Sequence, residues 1–275
     1  MIPKKIHYCW LSGEKFPPLV EKCIQSWREV MPDYEIILWD KNRFDINSAA
    51  FVREACEVRK WAFAADYIRL YALYDEGGIY LDSDVLVGKR FDDFLNYDFF
   101  SSLENVVRSP LENMVSRAYD ELPKEKEIKI ESNNYGFQIA VMGAAAKNEF
   151  IGDCLNWYQN HHFKLPDGTF RDNFSIGIGP DICASIARKH GFKYDCQEIQ
   201  RFGKNMIVFP SEYFPNEKGR ATKKSYAVHC CEGNWLPKSS LFLIHRKITS
   251  NAFLRKLFRK RDLSVDALKK IIINK

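Results

Sequence analysis

Along the first hundred positions the apolar residues alternate between two spacings. "KKIHYCW" (4–10) is short, rich in β-formers and ends in an aromatic, which predicts a strand. After Pro17 and Pro18, the residues Val20, Cys23, Ile24 and Trp27 fall at helical spacing and predict a helix. "YEIILWD" (34–40) predicts the next strand, and strand, helix and strand on short connections open a parallel α/β sheet. A helix over 48–60 runs into another from Trp61 to Glu76, whose apolar face is Trp61, Ala64, Ala65, Ile68 and Ala72. Gly77 and Gly78 supply positive-φ positions that end a helix at little cost. "IYLDSDVLV" (79–87) follows as one predicted strand. Later strands are expected in "DFFSSLE", "GFQIAVMGA", "MIVFP" and "SYAVHCC", with helices in or after "NEFIGDCLNWYQNHH" and "SIGIGPDICASIARKHG". "LPKEKEIKIES" (122–132) is charged and reads as a surface loop.

Composition narrows the class. A chain of 275 residues with 46% hydrophobic content has material for one large domain or a domain with a subdomain. No window approaches the ~18 uncharged apolar residues of a membrane span, and "MIPKKIHYCW" has no apolar stretch behind its basic residues, so an intracellular protein is expected. The eight cysteines contain no C-x-x-C pair and read as reduced core thiols. The net charge of +5 is concentrated in residues 245–275, where ten Lys/Arg face Asp262 and Asp266. A general nucleic-acid binder would carry its basic residues across a binding face, so no nucleic-acid partner is expected.

The candidate chemistry sits in "WAFAADYIRLYALYDEGGIYLDSDV" (61–85). Strand alternation points Tyr80, Asp82 and Asp84 the same way at the carboxyl end of a parallel strand, where open α/β sheets bind ligands. Two carboxylates held together repel unless a cation offsets them. A divalent ion with oxygen ligands, Mn²⁺ or Mg²⁺, does so and keeps positions open for a diphosphate. Asp66 and Arg69, three apart, share a helix face, and the glycine stop folds that face back beside the same strand end.

With "IPKKIHYCWLSG" and "GPDI", this segment resembles the bacterial members of glycosyltransferase family 32, the group with the D-x-D sugar-binding region. The resemblance spans roughly residues 1–240. It implies a GT-A fold, a Rossmann-like, mostly parallel central sheet flanked by helices, and transfer of a sugar from a nucleotide diphosphate donor with retention. By the same resemblance, Trp10 stacks on the nucleobase, and Tyr80 belongs to the nucleotide-sugar site. Asp82 contacts the ribose and the metal, Asp84 ligates the metal, and Asp66 and Arg69 hold the donor sugar and diphosphate. His229 is the expected late metal ligand, with Glu232 and Asn234 as alternatives. Trp235 is placed to close over the diphosphate and Lys238 to neutralise the leaving phosphate. Gln138 and Asn134 are candidates for supporting the reacting sugar centre; Gly179, Pro180 and Asp181 are expected on the acceptor side.

The resulting expectation is a catalytic domain over 1–240, with a nucleotide-sugar half (1–100) and an acceptor half (101–240). A C-terminal basic amphipathic helical tail (241–275) is suited to an anionic membrane surface. The donor is a nucleotide sugar, UDP-sugar favoured over GDP-sugar. The acceptor is a saccharide, lipid-linked or free, in capsule or O-antigen synthesis, and the location is cytoplasmic, peripheral on the inner face of the plasma membrane. A protein-modifying glucosyltransferase and a metal-dependent nucleotidyltransferase or phosphohydrolase are the alternatives.

Overall fold

The computed structural model describes residues 1–105, 135–171, 179–193, 198–216 and 218–231. Strand β1 (Lys5–Cys9), helix α1 (Pro18–Val30) and strand β2 (Glu35–Trp39) form the opening unit, with β1 and β2 parallel in register from Lys5↔Glu35 to Cys9↔Trp39. Helices α2 (Ala50–Glu57) and α3 (Trp61–Glu76) follow, and then strand β3 (Gly78–Leu81) pairs parallel with β1 on its other side. Strands β4 (Val85–Val87), β5 (Phe99–Asn105), β6 (Tyr135–Phe137) and β7 (Val141–Ala144) come next. They precede helices α4 (Glu149–Gln159) and α5 (Gly179–Ala187) and strands β8 (Gln200–Phe202), β9 (Met206–Phe209) and β10 (Ala227–His229).

The main sheet runs β2-β1-β3-β7-β5-β9-β8, with β6 added on β5. Strands β2, β1, β3, β5 and β9 point one way; β7, β8 and β6 run against them. The sheet is therefore mostly parallel, as the α/β reading requires, and one sheet joins the early and late parts of the chain.

Two cores cover its faces. Helix α1 buries Val20, Cys23, Ile24 and Trp27 with Ile6, Tyr8, Ile79 and Leu81 on one side; α2, α3 and α4 pack with Ile37, Trp39 and Tyr80 on the other. The alternation of Ile79, Tyr80 and Leu81 between these cores is the two-residue period of a strand buried on both faces. Five of the seven cysteines among the described residues are buried, and all seven are free thiols. No helix among the described residues is long and apolar enough to cross a membrane.

The turn from α3 into β3 is where glycine is needed. Gly77 has φ 65° and Gly78 φ 117°, conformations costly for a residue with a Cβ. A Cβ at Gly77 would also lie 2.7 Å from the backbone nitrogen of Ala146, and one at Gly78 would lie 2.9 Å from Nε2 of His7.

Candidate active site

From Arg69 to the end of α3 the helix rises roughly 12 Å. The return along β3 to Asp82 covers about the same distance. That equality brings the middle of α3 level with the carboxyl end of β3. Arg69 Nη2 lies 2.9 Å from Asp66 Oδ1 and Nη1 lies 3.3 Å from Asp82 Oδ1. Nη1 also donates to the Ile139 carbonyl at 2.9 Å, and Nε donates to the Ala65 carbonyl at 3.2 Å. The guanidinium lies over the Tyr80 ring, 4.6 Å from its centroid. Arg69 is only 4% exposed. Burial alone would lower its pKa, but Asp82, Tyr80 and Asp66 more than offset that and hold it charged, well above its ordinary value.

Asp66 is the other half of this cluster. Burial raises its carboxyl to about 6, and the charge of Asp82 adds to the effect. Arg69 and a hydrogen bond donated by the Gly179 backbone N–H pull the other way. Gly179 must be small here, since a Cβ would meet Ile139 Cδ1 at 2.4 Å and the Asp66 carboxyl at 3.1 Å. The start of α5, expected on the acceptor side, thus sits directly against Asp66; Pro180 and Asp181 continue it as buried residues.

The second carboxylate is placed differently from the sequence reading. "IYLDSDVLV" is not one strand: the chain leaves the main sheet after Leu81 and turns, with the Val85 N–H donating to the Asp82 carbonyl at 2.9 Å. It resumes as β4, which pairs antiparallel with β10 in the register Val87↔Ala227 to Val85↔His229. The physical reason is competition for backbone partners. The Asp82 N–H bonds the Ala140 carbonyl, whereas beyond the turn one edge of β4 pairs with β10, the Cys230 N–H reaching the Asp84 carbonyl at 3.0 Å. The other edge of β4 is met by α1, with the Trp27 indole donating to the Val85 carbonyl and the Val87 N–H to Ser26 Oγ. Asp82 and Asp84 therefore flank a turn, and the β4–β10 ribbon carries His229 to it.

His229 Nε2 lies 3.3 Å from Asp84 Oδ1 and 4.0 Å from Asp82 Oδ2. One ligand atom from each of Asp82, Asp84 and His229 lies within 4.8 Å of the others. Burial would lower the His229 pKa; hydrogen bonding to Asp84 and Cys231 and the charge of Asp84 outweigh it and raise it well above the ordinary value. Two half-buried carboxylates converging with one imidazole is a donor set that fits a divalent cation of the Mn²⁺ or Mg²⁺ kind.

The other expected residues divide into three groups. Trp10, just past β1, lines a cleft of about 480 Å³ with Ser12, Phe16, Leu38 and Asp40. Its indole N–H donates to the Glu14 carbonyl at 2.7 Å, and its ring meets Phe16 edge-on at 5.1 Å. Tyr80 is 1% exposed, so its ring reaches the site only through the guanidinium of Arg69 above it. Gln138 is also buried, and its amide is engaged away from any open space: Nε2 donates to the Phe214 carbonyl at 3.2 Å and to Asn216 Oδ1. The expected direct support of a sugar centre does not match those partners. Asn134, Glu232, Asn234, Trp235, Lys238 and the tail from 241 lie outside the described residues.

Sequence reasoning missed Asn216, whose Oδ1 lies 3.3 Å from His229 Nδ1. A single asparagine in "YFPNEK" has no periodicity or spacing by which to find it.

Residues 17–100 match the family described as the glycosyltransferase sugar-binding region containing a DXD motif. The chain is 31% identical over 124 residues to an uncharacterized glycosyltransferase, L373, of Acanthamoeba polyphaga mimivirus, covering 42% of this chain and 49% of that one. It is 32% identical over 103 residues to inositol phosphoceramide mannosyltransferase 3 of Schizosaccharomyces pombe, covering 35% of this chain and 28% of that one. The chain spans about half or less of the length of these curated relatives. Among solved structures it is similar to the PaToxG glycosyltransferase, with a TM-score of 0.45 and 16% identity over 68% of this chain and 69% of that one.

Proposed function

We propose, on the premise that residues 17–100 form a glycosyltransferase sugar-binding region containing a DXD motif, that the chain is a metal-dependent, retaining glycosyltransferase. It moves a hexose from a nucleotide diphosphate sugar, a UDP-sugar in preference to a GDP-sugar, to a saccharide acceptor. The observation that carries this reading is the convergence of Asp82, Asp84 and His229 beside the buried Asp66–Arg69 pair.

Asp82, Asp84 and His229 would hold Mn²⁺ or Mg²⁺, which when bound supplies positive charge to a diphosphate. The cleft beside Trp10 receives the nucleobase, Asp82 contacts the ribose and Asp66 the sugar. Asp66 accepts hydrogen bonds from sugar hydroxyls, and its position between Arg69 and the Gly179 N–H fixes the direction in which it does so. Arg69 is rigid because four oxygens and a ring hold it, so it meets developing negative charge without reorganising. The acceptor enters on the Gly179 side, and attack on the same face as the departing diphosphate gives retention, with the diphosphate taking the acceptor proton. A relative named as an inositol phosphoceramide mannosyltransferase supports a lipid-borne acceptor, and a membrane surface beside the site fits such an acceptor.

A nucleotidyltransferase would use the same carboxylates, but Asp66 beside Arg69 favours a site that grips a sugar. Titration calorimetry of UDP with Mn²⁺ is expected to show metal-dependent binding that Asp84→Ala abolishes; equal binding by the variant sinks the reading. A panel of nucleotide sugars, assayed for slow metal-dependent hydrolysis, then identifies the donor.

A further inference from the structure

The hydrogen bonds behind His229 have only one consistent direction. The Glu104 carboxylate on β5 can only accept, so the Asn216 atom 3.3 Å from its Oε1 is the donating Nδ2. The Asn216 Oδ1 is thereby turned the other way, toward Gln138 and His229. Gln138 agrees with this: its Nε2 donates to the Phe214 carbonyl, while its Oε1 accepts the Ala140 N–H at 3.4 Å, so its donating end faces Asn216 Oδ1. His229 Nδ1, 3.3 Å from that same oxygen, therefore faces an acceptor and carries the proton. The Cys231 Sγ, 3.4 Å from Nδ1, is compatible because a thiol sulfur accepts weakly. The contact is also built into the backbone, since the His229 N–H donates to the Pro215 carbonyl at 3.0 Å and Asn216 bridges His229.

We infer that Asn216, held by Glu104 and Gln138, is a positioning residue that holds the Nδ1 proton of His229 and fixes the ring orientation in which Nε2 points at Asp82 and Asp84. This rests on the metal-site reading above. Without a cation Nε2 also faces an acceptor, Asp84 Oδ1 at 3.3 Å, and carries a proton of its own. A cation takes the place of that proton, while the Asn216 oxygen keeps the one on Nδ1 and with it the ring orientation. The partner that sets a ligating histidine typically matters 10–100-fold in metal affinity.

The test is Mn²⁺ binding to the metal-free chain, read from the paramagnetic resonance of free Mn²⁺. Asn216→Ala is expected to weaken binding about 10–100-fold. The exchange variant Asn216→Asp/Glu104→Gln keeps an acceptor at Nδ1 and reverses only the outer donor and acceptor, so it is expected to restore most of the affinity. His229→Ala is the control for the underlying site. If it binds Mn²⁺ as the parent does, the metal-site reading fails. If it binds weakly while Asn216→Ala is unchanged, or if the exchange variant is no better than Asn216→Ala, only the positioning role is overturned. A second measurement needs no variant to fold. Two-bond ¹H–¹⁵N correlations of the metal-free chain are expected to show His229 Nδ1 protonated, and an unprotonated Nδ1 overturns the inference.

Discussion

Two histidines, one at each end of the parallel strands, show how a single neighbour sets what an imidazole does. His7, in β1, receives the Trp39 indole N–H at Nδ1 (3.0 Å) and faces the Gly77 carbonyl with Nε2 (2.8 Å). Indole can only donate, so the His7 proton lies on Nε2 and both nitrogens are used in holding the helix stop against the sheet. At His229 both nitrogens face acceptors, Nδ1 the Asn216 amide oxygen and Nε2 the Asp84 carboxylate, so the ring is favoured in its charged form. Burial lowers the pKa of His7, with the Gly77 carbonyl opposing, whereas the surroundings of His229 raise it. His7 is held neutral in two hydrogen bonds, beside Glu76 with its partners Lys5 and Arg43. The surroundings of His229 concentrate carboxylate charge.

That contrast is most strongly tested by removing charge from the site. Arg69→Met leaves Asp66 and Asp82 facing each other without their shared cation, and is expected to cost about 3–5 kcal/mol by chemical denaturation. A loss near zero breaks the view of the site as a buried charge cluster.

The pH dependence sharpens the comparison next, because the two ends respond with opposite sign. Asp66 faces Arg69, Asp82, Tyr158 and Cys9, and its carboxyl is raised from 3.8 to about 6. The folded state binds its proton more tightly than the unfolded chain, so this contribution is present below 3.8 and is lost as pH rises through about 6. His7 is lowered from 6.5, so its contribution is present above 6.5 and is lost as pH falls. Asp66→Asn should therefore gain on the parent by on the order of 3 kcal/mol between about pH 4 and about pH 8. A pH-independent difference between the two proteins contradicts the assignment.

The smallest effect belongs to the neutral histidine. His7→Ala leaves the Trp39 indole and the Gly77 carbonyl unpaired, which is expected to cost about 2 kcal/mol of stability. Mn²⁺ affinity is expected to stay at the parent value, and a metal-binding defect in this variant would show that the two ends are not independent.

The part of the site legible in the sequence is the part built from neighbours in the chain. Asp66, Arg69 and Asp82 fall within one helix, one glycine stop and the end of one strand, and the stretch of helix after Arg69 matches the strand in length and so brings them together. His229 was legible as a residue type after a late strand, through family resemblance, but not as a geometry. The turn at Asp82–Asp84 was hidden because Tyr80, Asp82 and Asp84 keep a strand's alternation across it. Gln138 looked like a polar group at a strand foot; its partner Asn216 lies 78 residues further on.

What the sequence by itself determined is therefore the local frame: apolar spacing, proline at the start of α1, glycine at the end of α3 and two carboxylates at a strand end. Hydrophobic periodicity and backbone conformational preference act over a few residues, so they can be read without the fold. Only the tertiary structure decided that β4 leaves the main sheet for β10 and that Asn216 stands behind His229. Backbone pairing and hydrogen-bond direction depend on which partners are close in space: β10 comes from a segment far along the chain from β4, and Asn216, 13 residues before His229, is held by Gln138 and Glu104, 78 and 112 residues away.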